Sequence, residues 1–177
     1  LVMLFVGGAK LSHFGMLLGA GAAAAVVLTM SAPYRFKRFT AFMDPWANPL
    51  EDGWQLIQSL YSIGSGGLFG LGLAQSRQKY FYLPYPETDF IFAIIGEELG
   101  FIGVILLISL FMILIWRGIR IALTAPDLFG CLLATGIISM IAIQVVINIA
   151  VVTVSMPTTG VPLPFISYGG SSIAMFL

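Results

Sequence analysis

The residues of this chain equipped to work on an anionic substrate are gathered between Gly64 and Phe101. They are Arg77, Gln78 and Lys79, then Glu87 and Asp89 behind Pro84 and Pro86, then Glu97 and Glu98. Arginine grips phosphate through a planar fork and lysine as a compact charge. A carboxylate about a dozen residues further on can serve as general base on a hydroxyl if nearby cations keep it ionised. The same residue types have plainer uses. Arg77 and Lys79, beside Tyr80, Phe81 and Tyr82, would equally anchor to lipid headgroups. Asp89, at the first turn of a predicted helix, is a preferred N-cap whose charge complements the helix dipole. Glu97 and Glu98 would lie about two turns deeper, where a carboxylate needs a partner, and one of them is expected to brace a loop or a cation rather than react.

The elements that must hold these residues are read from apolar patterning. The 177 residues are 59% hydrophobic and 9% charged, with a mean hydropathy of +1.00, whereas soluble domains carry about a quarter charged residues. The composition defines an integral membrane protein. Eight basic residues balance eight acidic ones, which gives no reason to expect nucleic acid as a partner. The single cysteine, Cys131, lies in an apolar run; it can form no internal disulfide and reads as a small buried hydrophobe.

Four complete spans are predicted, at about 12–32, 55–73, 90–116 and 128–154, with partial helices at 1–8 and 171–177, as if a longer helical protein had been cut at both ends. The fold class is therefore an all-α polytopic membrane fragment. Span parity puts loops 33–53 and 117–127 on one face, with Arg35, Lys37, Arg38, Arg117 and Arg120. Loops 74–89 and 157–170 fall on the other, with Arg77 and Lys79. The positive-inside rule makes the first face cytoplasmic and the second extracellular.

Several features qualify that frame. The second span holds Gly64, Gly66, Gly67, Gly70 and Gly72, and glycine costs about 1 kcal/mol in a helix interior, so this span is expected to break near the outer leaflet. Gly15 and Gly19 give the first span a small-residue face, which packs another helix or is mere filler. His13 reads as an interfacial residue, Trp46 and Trp54 as belt aromatics, and Asp44, Glu51 and Asp52 as turn or capping groups. Gln144, Asn148 and Ser155 share one helical face, as glue between helices or as polar groups lining a pathway. Pro157, Pro162 and Pro164 preclude regular helix in the segment that follows.

Taken together, GSGGLFGLGL at 64–73, Gln78-Lys79, Leu83-Pro84, TDFIF at 88–92, GEELG at 96–100 and PLPFISYGGSS at 162–172 resemble the SEDS proteins (shape, elongation, division and sporulation). The wording is nearest to the FtsW and SpoVE branch, with RodA next. The resemblance covers essentially the whole chain, a little under half of a ten-span member. It implies a multi-pass protein of the bacterial cytoplasmic membrane that polymerises lipid II into β-1,4-linked glycan beside a class B penicillin-binding protein. On that footing Asp89 matches the essential aspartate of the large extracellular loop. Lys79, Arg77 and Gln78, with Ser167 and Tyr168, would contact substrate, and Glu97, Glu98, Gly66, Gly67 and Pro164 would support the site. No metal site and no firm cofactor is expected, although Asp89 and Glu87 would be placed to help hold a divalent cation on the pyrophosphate. The competing expectation for the same family is a transporter that moves lipid II across the membrane.

Overall fold

The computed structural model describes residues 1–51, 53–76 and 89–168, and every regular element among them is helical. These are α1 (Val2–Val6), α2 (Leu11–Met30), α3 (Pro33–Met43), α4 (Trp54–Ser65), α5 (Ile91–Thr124) and α6 (Leu128–Val152). The chain divides into two compact units, 1–37 with 112–142, and 38–111 with 143–177.

In the first unit α2 is the simplest element. Its 20 residues include no Asp, Glu, Lys or Arg and reach about 30 Å, the thickness of a hydrocarbon core. Gly8, at φ +82°, turns the chain between α1 and α2 and brings Phe5 and Phe14 to 6.0 Å between ring centroids. Small residues set the close approaches. Met3 lies over Gly136, and Ile138 fills the space beside Gly118, where a Cβ would collide with it. Asp127 accepts a hydrogen bond from the Gly130 N–H at 2.7 Å and caps the start of α6. Arg120 stacks on Trp116, 4.6 Å from the ring centroid.

The second unit holds most of the buried side chains, among them Leu56, Ile57, Phe90, Phe92, Ala93, Val152 and Leu163. Serines stitch it together: Ser59 donates to the Val152 carbonyl at 2.6 Å and Ser62 to that of Ala93 at 3.0 Å. Both are fully buried, where an unpaired hydroxyl would be costly.

A broken helix dominates this unit. At Gly100 α5 leaves helical geometry, with φ 67° and ψ −166°, which only glycine adopts readily. The break frees carbonyls before it and amides after it, and the glycine segment that follows α4 takes up both sets. The N–H groups of Leu71 and Gly72 donate to the carbonyls of Glu97 and Glu98 at 2.9 and 3.0 Å, while those of Phe101 and Ile102 donate to Gly67 and Leu68 at 2.9 and 3.2 Å. Two interrupted segments thus satisfy each other's backbone, the condition for irregular chain at membrane depth. A Cβ on Gly66 would strike the Gly96 carbonyl, one on Gly70 the Glu98 carbonyl, and one on Gly100 the Gly70 nitrogen.

Among the described residues three helices are long and apolar enough to cross a membrane: α2, α5 and α6. The span expected at 55–73 is instead the 12-residue α4, about 18 Å long and too short to cross, followed by the glycine segment. One face of α4 is held within the second unit, where Ser59 and Ser62 bond to Val152 and Ala93. The loop expected at 33–53 opens with α3, because Pro33 sits at a helix N-terminus, where proline's missing N–H does no harm. The expected loop from 117 is still helix as far as Thr124.

Within the second unit, Arg38 of α3 donates to the Thr158 carbonyl at 3.1 Å, which brings together two stretches, 33–53 and 157–168, that the charge count had assigned to different loops.

Candidate functional site

Asp89 stands just ahead of α5 and is half-buried. Its backbone is fixed from α6. Asn148, 1% exposed, donates through Nδ2 to the Asp89 carbonyl and to the Val161 carbonyl, both at 2.9 Å. The Asp89 carboxylate lies against Gly160, where an added Cβ would come 3.5 Å from Oδ2. Gly160 is itself at φ +72°, so both its conformation and its neighbour call for glycine. One acidic side chain, one buried amide and a turn of the proline-rich segment thus form a single cluster.

The proline-rich segment is ordered by its own polar groups. Ser167, 4% exposed, accepts from the Leu163 N–H at 2.8 Å and donates its own N–H to the Leu163 carbonyl at 3.1 Å. Leu163 and Pro164 are buried beneath this turn. Tyr168 is 74% exposed. Of the two expected substrate contacts in this segment, Ser167 is turned into the fold and Tyr168 is open.

Glu97 is buried at 1% exposure and its Oε2 accepts from Ser76 Oγ at 2.5 Å and from Ser62 Oγ at 3.2 Å. Ser76 is the residue before Arg77, so Glu97 anchors the foot of the basic segment. Arg77, Gln78, Lys79 and Glu87 themselves lie outside the described residues. Glu98 keeps one buried oxygen without a hydrogen-bond partner among the described residues. Gly66 and Gly67 belong to the glycine segment that locks onto α5.

An apolar cavity of about 260 Å³ opens beside this lock, lined by Ile63, Phe92, Gly96, Val104 and Ile149, with Thr153 at one edge. Its lining offers nothing for a charged group and suits hydrocarbon. Sequence reasoning missed three contributors. Arg38 had counted only as a loop charge, Gly160 only as part of the loop at 157–170, and Gly100 as part of an uninterrupted span. The sole signal for Gly100 was its place after the two glutamates of an otherwise apolar helix.

These features define a polytopic, all-helical membrane protein with a carboxylate just ahead of a long helix, set against a proline-rich turn. Residues 1–177 match the FTSW_RODA_SPOVE family model, described as "Cell cycle protein", and the chain belongs to that family. It is 62% identical over 177 residues to "Stage V sporulation protein E" of Bacillus subtilis (strain 168), covering 100% of this chain and 48% of that protein. It is 51% identical over 180 residues to "Probable peptidoglycan glycosyltransferase FtsW" of Trichlorobacter lovleyi (strain ATCC BAA-1151 / DSM 17278 / SZ), covering 100% and 46%. Among solved structures it is similar to a chain from "Structural coordination of polymerization and crosslinking by a peptidoglycan synthase complex", with TM-score 0.71, 36% identity, and coverage of 99% of this chain and 48% of that one. The chain spans about half the length of these relatives.

Proposed function

We propose that the full-length protein is a peptidoglycan glycosyltransferase that polymerises lipid II at the outer face of a bacterial cytoplasmic membrane, with Asp89 as general base. The observation that carries this reading is the fixing of Asp89 to the proline-rich turn by Asn148. The names of the relatives point to the same reaction class.

In the proposed step Asp89 takes the proton from the 4-hydroxyl of an acceptor N-acetylglucosamine as that oxygen attacks the anomeric carbon of the donor sugar. The bond from this carbon to the pyrophosphate breaks, and undecaprenyl pyrophosphate leaves with the electron pair. Attack from the face opposite the leaving group inverts the centre and gives a β-1,4 link, a geometry that one base can serve. Arg77 and Lys79 would stabilise the departing charge, an effect commonly worth a few kcal/mol per donor. The apolar cavity has the character needed for part of an isoprenyl chain. Arg117 and Arg120, toward the C-terminal end of α5, favour the cytoplasm for that end of the helix and an outer position for Asp89, which precedes it. A class B penicillin-binding protein is the proposed partner, in keeping with a structural neighbour whose description joins polymerization to crosslinking.

The test is Asp89→Ala and Asp89→Asn in the full-length protein, assayed with its transpeptidase and lipid II. Glycan polymer should vanish while the unfolding temperature stays within a few degrees of wild type. Wild-type polymer yield from either variant would remove Asp89 from the reaction. The transporter reading leaned on Gln144 and Asn148, but the Asn148 amide is engaged with the site's backbone. Leaflet accessibility of fluorescent lipid II, measured in the same vesicles, should not change with the protein present.

A further inference from the structure

Residues 158–161 are held from two sides. On one, Arg38 of α3 donates to the Thr158 carbonyl at 3.1 Å, as a part-buried contact. On the other, Asn148 of α6 donates to the Val161 carbonyl. Gly160 lies between these tethers, and among the described residues it is Asp89 Oδ2, at 3.5 Å, that a Cβ there would meet. The nitrogen that holds Val161 also holds the Asp89 backbone, so both hydrogens of one amide join the base's main chain to the turn its carboxylate faces.

We infer that Asn148 and Arg38 are positioning residues for Asp89: together they fix residues 158–161 as a wall against which the carboxylate is aimed. This inference rests on the polymerase reading. A primary amide suits the task because its two N–H groups diverge toward two carbonyls, and neither aspartate nor leucine of similar size can do the same. Neither residue touches the reacting atoms. Their effect is on where the carboxylate stands, and a misplacement of about 1 Å can cost about a hundredfold in rate. The chemical step should therefore suffer and substrate capture should not.

The experiment uses the full-length protein with its transpeptidase, lipid II as substrate, and polymer formation as the readout. Asn148→Ala and the near-isosteric Asn148→Asp should each lower kcat at least tenfold with KM within about twofold. Arg38→Gln, at the outer tether, should lower kcat at least threefold with the same unchanged KM. A folded Asn148→Ala protein with wild-type kcat, or a loss confined to KM, overturns the inference. Should both Asn148 variants fail to reach the membrane as folded protein, Arg38→Gln decides alone, and wild-type kcat there is equally fatal. An inactive Asp89→Ala beside a fully active Asn148→Ala sinks only this inference, whereas an active Asp89→Ala sinks the polymerase mechanism itself.

Discussion

Glu97 shows how much one side chain can require of its surroundings. A carboxylate this deeply enclosed must be hydrogen-bonded to be tolerated, and Ser62 and Ser76 supply that from two separate segments. Replacing it with alanine should lower stability by about 2–3 kcal/mol, since two buried hydroxyls lose their acceptor. Glutamine, which keeps an acceptor oxygen, should lose less than half as much. Thermal unfolding of the purified protein in detergent measures both. Gln144 is the opposite case: its buried Oε1 has no partner among the described residues. Gln144→Leu should leave the unfolding temperature unchanged or raised by a few degrees, because removing an unmet polar atom is neutral or favourable. That Glu97 needs a partner is legible from a carboxylate in an apolar helix. Which partner is not, because serines 21 and 35 positions away leave no periodic trace in the sequence.

At the scale of elements, α2 and α6 were legible because long uncharged runs have few other uses in a chain this apolar. The segment 55–73 misled for an instructive reason: buried apolar side chains and lipid-facing ones look alike in composition, and only length separates them. Its glycines were correctly read as incompatible with regular helix. The destination of the freed backbone groups was hidden, since the matching break at Gly100 is one residue in a 34-residue helix. Gly100→Ala should destabilise the protein by about 3 kcal/mol or more, because the new methyl meets backbone rather than a side chain able to move. Retention of the wild-type unfolding temperature and detergent-column profile would show that α5 can run straight through this position.

For the whole molecule, sidedness depends on counting spans, and if the 12-residue α4 does not cross, 33–53 and 157–168 share one face. Cysteine labelling provides the check. With Cys131→Ser as background, an impermeant maleimide added outside intact cells should label Ala47→Cys and Thr159→Cys but leave Pro126→Cys untouched until the cells are opened. Labelling of positions 47 and 159 from opposite sides would restore the four-span arrangement. Composition established the membrane class and the apolar runs located most of the helices. Parity could not be read because the positive-inside rule needs correct loop boundaries before it can be applied.

The mutual lock between the glycine segment and α5 also bears on how the protein is made. On the ribosome the glycine segment emerges about 30 residues ahead of its partner, and domains acquire their contacts in the order of synthesis. In that interval its main-chain amides have nothing to bind in hydrocarbon, so the nascent segment must wait in a wetter place, at the lipid headgroups or within the insertion machinery. A chain halted between residues 72 and 97 would carry that deficit permanently, and the cell's membrane proteases would find it before any assembly partner did.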